Sequence, residues 1–248
     1  MAGNILTGGL WQPTWGHYEE PNKRIQGPYF LFDLQEINAG KNPLPTIRSM
    51  IQNNTNNYGD IYTHLFSSVT GNSSNNCSDK EKACPNYMKA KNAAFIWLIN
   101  LDQNGNPFSS LQAREDFRII ALNILENADA PGLDNALDWF NDNLGGGGVL
   151  GPLSGPLAAI MEYNNMHYRS KELMNIIQAF DILKWSWRLD PSIPNRGSME
   201  TLARGIIEKF VQPMYIRAQW GIYPLSINNH TLVTAASMAA AGGILYLI

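Results

Sequence analysis

The sequence predicts an all-α protein built from antiparallel helical hairpins, arranged as a bundle or as an (α/α) toroid. Apolar residues recur at helical spacing in several segments, short breaks separate these segments, and the period-two alternation typical of strands is almost absent. We expect residues 31–248 to form this helical domain and residues 1–30 to form an irregular arm rich in aromatic side chains. Nothing in the sequence marks a linker to a second domain.

The candidate helices follow one another along the chain. They are, in order, Pro45–Asn53, Tyr58–Val69, Met88–Leu101, Ser109–Asn127, Leu133–Asn143, a helix starting at Ser170 and a helix starting at Ser198. The fourth is the clearest, because Ser109 and Gln112 form a capping box ahead of an apolar stripe that ends at Leu125. The last is expected to be disturbed at Pro213, which cannot donate a backbone hydrogen bond.

Two further segments complete the prediction. The glycine-rich stretch 145–156 is predicted to be a long loop, and it lacks the Lys-Ser/Thr pair of a phosphate-binding loop. The uncharged stretch Thr231–Ile248 is predicted to be a buried helix. Its length is near the minimum for a bilayer span, but Thr234, Ser237 and two glycines dilute its hydrophobicity. We therefore expect no membrane span.

Composition limits the classes of partner. Charged residues make up only 16% of the chain and the formal net charge is −3, which does not favour nucleic-acid binding. Seven Trp and ten Tyr residues, many in polar surroundings, are typical of surfaces that stack on sugars, and buried aromatic anchors explain them equally well. The four histidines lack metal-ligand spacing, so we expect no metal and no cofactor.

The two cysteines, Cys77 and Cys84, flank a short charged segment. Their spacing is wrong for a zinc finger or a thioredoxin motif. A local disulfide is the better interpretation and implies an oxidising compartment, while a pair of free thiols is the alternative. The first residues lack the basic and apolar regions of a signal peptide, so an exported protein would have lost its signal from this sequence.

The triplet Asn228-Asn229-His230 stands where a loop leads into the last predicted helix. Asn is a preferred N-cap residue, so the triplet has a purely structural interpretation. It also suits one reaction, the β-elimination of a uronic acid. There an amide hydrogen-bonds the carboxylate and stabilises enolate-like charge, while a neutral imidazole accepts the weakly acidic C5 proton.

The chain resembles the alginate lyase and heparinase II/III-like polysaccharide lyases. The triplet opening an Ala-rich helix is the most specific point of similarity, and three segments upstream occur in the same order as in that family: Gly27–Phe32, Ala90–Leu98 and Gln178–Leu183. The resemblance implies an incomplete (α/α) toroid that acts on an acidic polysaccharide. It also implies that Asn229 neutralises the substrate carboxylate and that His230 is the catalytic histidine.

The sequence departs from this family at two points. Thr231 stands where Gly or Ser is common, and the family's catalytic Tyr and β-sandwich lie beyond the end of this chain. We therefore expect the N-terminal helical part of a secreted or periplasmic lyase. It would be inactive or severely impaired without the missing C-terminal part of the same protein.

Sugar contacts are predicted for side chains of the N-terminal arm and of the segment that leads into the last helix. The candidates are Trp11, Trp15, His17, Tyr18, Trp220, Tyr223 and Asn228. Two other functions remain open. One is a non-catalytic glycan-binding or assembly protein on the same scaffold. The other is a glycoside hydrolase, in which two of Asp134, Asp138, Asp142 and Glu162 would form the acid/base pair.

Overall fold

A computed structural model describes residue 28 and residues 31–71, 83–129, 151–196, 199–215 and 229–245, without the side chains of residues 34, 151–165 and 229–231. Eight α-helices lie in these ranges: α1 (Leu34–Asn38), α2 (Leu44–Gln52), α3 (Tyr58–Thr70), α4 (Pro85–Ile99), α5 (Leu111–Glu126), α6 (Gly151–Trp185), α7 (Glu200–Ile206) and α8 (Asn229–Leu245). The part described holds no β-strand, and an isolated bridge joins Leu101 to Pro107. The all-α prediction is confirmed, whereas the toroid remains a prediction.

The helices α4 and α6 form the centre of the fold. α6 packs against both α4 and α8, and α4 packs in addition against α5 and α3. Every residue of α4 from Ile96 to Ile99 is fully buried, as are Ala90, Ala93 and Ala94. The second half of α4 is apolar on all sides and so belongs in an interior, and the alanines allow neighbouring helices to approach closely. α4 and α6 therefore form the core against which α3, α5 and α8 pack.

The boundary of α5 corrects the predicted capping box. The N-cap is Ser110 rather than Ser109, because the Ser110 hydroxyl accepts a hydrogen bond from the backbone N–H of Ala113 at 3.1 Å. Adjacent serines offer the same capping chemistry, so the sequence alone does not decide between them. The apolar stripe is confirmed, since Phe117, Ala121 and Leu125 are buried.

The long helix α6 corrects two other predictions. Ser170 does not start a helix but lies inside α6, where its hydroxyl donates to the carbonyl of Met166 at 2.6 Å. The helix begins at Gly151, so the second half of the predicted glycine-rich loop is helical. Pro152 falls in the first turn, where a missing N–H costs no intrahelical hydrogen bond. The predicted helix Leu133–Asn143 lies outside the described residues.

Pro213 does not end the helix that contains it. After α7 the backbone continues as a π-helical turn, Ile207–Val211, and stays helical to residue 215. In an α-helix the ring of Pro213 would collide with the carbonyl four residues earlier. The wider π turn lies just before this proline, where the N–H of Gln212 reaches the carbonyl of Ile207. The disturbance predicted at Pro213 is thus a change of helical register.

The last helix begins at Asn229, close to the predicted start. Its inner face is made of small residues, with Thr234, Ser237 and Ala241 all fully buried against the rest of the protein. Within the residues that the structure describes, no helix is both long enough and apolar enough to cross a membrane.

Candidate functional site

The predicted catalytic residues Asn229 and His230 form the first turn of α8. Their side chains, and all of Asn228, lie outside the described residues. The backbone nevertheless fixes their neighbourhood. Thr234 lies one turn further along α8, about 6 Å along the axis from His230, and it is buried against α6.

A hydroxyl contact joins α8 to α6 at this point. The hydroxyl oxygens of Thr234 and Ser170 lie 2.8 Å apart, and Ser170 also donates to the carbonyl of Met166 at 2.6 Å. A hydroxyl carries a single proton. Either hydroxyl can therefore be the donor across this contact, which holds one hydrogen bond between α8 and α6. Ser237 in turn donates to the carbonyl of Thr234 at 2.9 Å. The start of α8 is therefore held at one rotation relative to α6.

A buried charge pair, Arg169–Glu172, flanks Ser170 on α6. The guanidinium Nη1 of Arg169 lies 2.8 Å from Oε2 of Glu172, and both side chains are only 1% exposed. The other carboxylate oxygen, Oε1, accepts the backbone N–H of Cys84 at 2.6 Å. Burial raises the pKa of Glu172 to about 7, although the Arg169 charge and the Cys84 N–H both act to lower it.

More charged side chains are buried further along α6. Asp181 is fully buried and Lys184 is 9% exposed. The Lys184 ammonium lies 4.8 Å from the centre of the Trp185 ring, which is cation–π distance. Polar and charged groups therefore extend along this central helix beyond the turn that carries Ser170.

These residues were not predicted from the sequence, although a signal is present. Arg169 and Glu172 occupy the same 3.6-residue stripe as Leu173, Ile176 and Phe180, all of which are buried. A charge at a core position of an amphipathic helix indicates a buried, paired group. A helix predicted to start at Ser170 leaves Arg169 outside it, so the pair is not recognised as lying on one helical face.

Another polar group joins the end of α4 to the segment after α6. Arg48 and Arg114 both reach Oδ2 of Asp190, at 3.3 Å and 3.0 Å. They also donate to backbone carbonyls of the last turn of α4, Arg48 to Ile99 at 2.7 Å and Arg114 to Trp97 at 2.8 Å. Carbonyls at a helix C-terminus have no partner within the helix. This group is therefore a side-chain cap for α4.

A concave surface lies between α5 and α7, with a volume of about 430 Å³. Its described lining is mainly aliphatic, with Leu122, Leu125 and Leu202 among its walls, and it includes the charged residues Glu126 and Lys209. Lys209 donates to the carbonyl of Ala128 at 2.8 Å. None of its described lining residues is aromatic, so the described part of this surface offers no stacking platform for a sugar ring.

The remaining predicted sugar contacts cannot be placed. Trp11, Trp15, His17, Tyr18, Trp220 and Tyr223 lie outside the described residues, as do the candidate hydrolase carboxylates Asp134, Asp138 and Asp142. Glu162 lies in α6, with its side chain outside the description. Among the described residues, no group of three or more His, Cys, Asp or Glu side chains is arranged to hold a metal ion.

Comparison with known proteins leaves the assignment open. No protein-family model, no curated protein and no solved structure matches this chain.

Proposed function

We propose that this chain is the helical part of a polysaccharide lyase, an incomplete (α/α) toroid that cleaves a uronic-acid-containing polysaccharide by β-elimination. One observation carries the proposal. Asn229 and His230 are the first two residues of α8, and the following turn is hydrogen-bonded to the central helix α6 through Thr234 and Ser170. A reactive pair on this backbone would be held by two packed helices rather than by a loop, which favours catalytic precision.

The end of the helix also has suitable electrostatics. α8 has 17 residues, so its aligned peptide dipoles place partial positive charge at Asn229 and His230. Partial positive charge attracts the carboxylate of a uronic acid. It also disfavours a protonated imidazole and so keeps a nearby histidine in the basic form that abstracts a proton.

The proposed reaction uses these groups in one sequence. The Asn229 amide donates a hydrogen bond to the substrate carboxylate, and the His230 imidazole removes the proton from C5. The electron pair of the broken C–H bond forms the C4–C5 double bond as the C4–O bond breaks. A general acid then protonates the leaving oxygen. The products are a new chain end and an unsaturated uronate.

The proposed location outside the cytoplasm is supported by a disulfide bond. Cys84 is disulfide-bonded, and disulfides persist in oxidising compartments.

The test compares variants of the natural full-length protein on a panel of polyuronates. We expect His230→Ala to reduce formation of unsaturated uronate by at least about a hundredfold, as removal of a general base does. Asn229→Ala is expected to cost about 10²–10³ in rate, as removal of a single oxyanion donor does. Ultraviolet absorbance of the unsaturated product measures both, and His64→Ala, an exposed histidine on α3, is the matched control.

Each alternative function gives a different outcome. Activity that survives both substitutions rules out the assigned mechanism. Binding of a polyuronate without any unsaturated product identifies a glycan-binding protein. Saturated products identify a glycoside hydrolase, which would depend on a carboxylate pair.

A further inference from the structure

The N-terminus of α4 is joined to the buried charge pair by a single hydrogen bond. Cys84 is the N-cap residue of α4, is disulfide-bonded and is 4% exposed. Its backbone N–H donates to Oε1 of Glu172 at 2.6 Å, across 88 positions of sequence. A carboxylate at a helix N-terminus is favoured in its ionised form, because it meets both an N–H donor and the positive end of the helix dipole.

In the part of the chain that the structure describes, the charged and titratable groups around Glu172 and its neighbour Tyr87 come from three elements. α6 contributes Arg169, whose Nη1 lies 2.8 Å from Oε2 of Glu172. α4 contributes Tyr87, and the segment after α5 contributes Asp129. The Tyr87 hydroxyl accepts the backbone N–H of Asp129 at 2.8 Å and also hydrogen-bonds the Asp129 carbonyl. Both Tyr87 and Glu172 are buried, so changes in their hydrogen bonding have large electrostatic effects.

We propose that the Cys84 disulfide and the ionised form of Glu172 stabilise each other, which makes this corner of the fold responsive to both reduction and acid. The disulfide restricts the backbone at Cys84, so the N–H stays directed at the carboxylate. Reduction removes this restraint and weakens a charge-assisted hydrogen bond. Protonation of Glu172 weakens the same hydrogen bond from the other side, and it also removes the charge that Arg169 faces.

The chemical step is an ordinary thiol–disulfide exchange. A dithiol reductant gives two electrons and two protons to the protein disulfide, which becomes two thiols, and the reductant becomes a cyclic disulfide. Cys77 is the other cysteine in the sequence. Because burial raises the pKa of Glu172 to about 7, its proton exchange falls in a range that changes of compartment reach.

The coupling is measured first as the pKa of Glu172. Carboxyl carbon chemical shifts, followed by NMR as a function of pH, give this pKa in the oxidised and the dithiothreitol-reduced protein. We expect reduction to raise the pKa by up to about one unit, the value that corresponds to one charge-assisted hydrogen bond. An unchanged pKa in a reduced protein that remains folded overturns the proposal.

The reciprocal measurement works even if reduction loosens the structure. By linkage, a tenfold coupling between the two events appears as about 30 mV in the reduction potential of the disulfide. The potential of the wild-type protein is compared with that of Glu172→Gln at about pH 5 and about pH 8 in a dithiothreitol redox buffer. We expect the wild-type disulfide to become harder to reduce than that of the variant at the higher pH, by up to about 30 mV relative to the lower pH.

Glu115→Gln is the matched control for this measurement. Glu115 is also paired with arginine, to Arg118 and Arg196, but it lies on α5, and its contacts within the described residues are with these arginines and Trp97. In Glu115→Gln, the difference in reduction potential from the wild-type protein should be the same at both pH values. A Glu172→Gln offset that is the same at both pH values means that Glu172 only supports the structure, and it refutes the coupling. Neither measurement depends on lyase activity, so the result is independent of the proposed function.

Discussion

Two arginine–carboxylate contacts in this protein have similar distances and opposite electrostatic outcomes, and only the first is also a hydrogen bond. Arg114 lies 3.0 Å from Asp190, and Arg169 lies 2.8 Å from Glu172. The pKa of Asp190 is held below its ordinary value, whereas that of Glu172 is raised to about 7. A short distance to a guanidinium therefore does not decide how a buried carboxylate titrates.

The difference arises from exposure and from the number of donors. Burial opposes ionisation of Asp190, but the hydroxyl and backbone N–H of Ser192 both donate to Oδ1, and Arg114 and Arg48 reach Oδ2. The Asp190 side chain also keeps 14% of its exposure. Glu172 is 1% exposed and receives one backbone N–H beside one guanidinium. At Asp190 several hydrogen-bond donors offset the cost of desolvating the charge, so the pKa falls. At Glu172 there are too few donors to do so, and the pKa rises.

The largest loss of stability is expected from removing Arg114, which contacts both Asp190 and the last turn of α4. Arg114→Met should lower the free energy of unfolding by about 3–5 kcal/mol, because it leaves a partly buried Asp190 with fewer donors and the carbonyl of Trp97 without its side-chain cap. Urea denaturation measures the change.

Arg48→Met is the control for this substitution. It removes the other guanidinium from Asp190, but the Arg48 side chain is 28% exposed. We expect a cost near 1 kcal/mol. If the two variants lose equal free energy of unfolding, the difference in burial between Arg114 and Arg48 does not determine their contributions to stability.

The second prediction concerns the pH dependence of stability. Glu172 has a folded pKa of about 7 and an ordinary value of 4.5. Its contribution is fully present below pH 4.5 and is lost as the pH rises to 7, a change of about 3 kcal/mol. Asp190 has the opposite sign, because a lowered pKa gives stability that is present above its ordinary value of 3.8 and lost as the pH falls through the folded pKa.

Denaturation across this pH range with Glu172→Gln and Asp190→Asn separates the two carboxylates. The first variant should lose the decline between pH 4.5 and pH 7, and the second should lose part of the decline in acid. If Glu172→Gln leaves the profile between these pH values unchanged, the contrast between the two carboxylates is wrong.

The smallest effect is expected where no charge is involved. Ser170→Ala and Thr234→Val each remove one hydroxyl from the contact between α6 and α8 and should cost about 1 kcal/mol. A double-mutant cycle should show a coupling of about 0.5–1.5 kcal/mol. The measured coupling gives the energy of a neutral contact, with which the two arginine–carboxylate contacts can be compared. If the costs of the two single substitutions simply add, the two hydroxyls do not interact.

The sequence predicted the helices well where a single signal dominates. The apolar periodicity of α5 and the boundaries of α3 agree with the structure to within a few residues. Boundaries set by chemically equivalent neighbours were missed, as with Ser109 and Ser110. The start of α6 was also missed, because its proline- and glycine-containing sequence has weak helix propensity.

The candidate site was only partly accessible to sequence reasoning. The position of Asn229 and His230 at the start of a helix follows from local signals and is confirmed. The contact of the following turn, through Thr234, with Ser170 depends on which face of α6 meets α8, and no local pattern specifies such a pairing of distant segments. The catalytic assignment itself stays a prediction.

The placement of Ser170 between Arg169 and Glu172 has a mechanical consequence. One turn of α6 carries the hydroxyl that fixes α8 and the carboxylate that meets the N-terminus of α4. Because a helix turn is rigid on this scale, a small rotation of α6 about its axis would shift both attachments together. The first turn of α8 and the disulfide-bonded Cys84 would then respond to the same movement, although 145 residues separate Cys84 from Asn229 in the sequence.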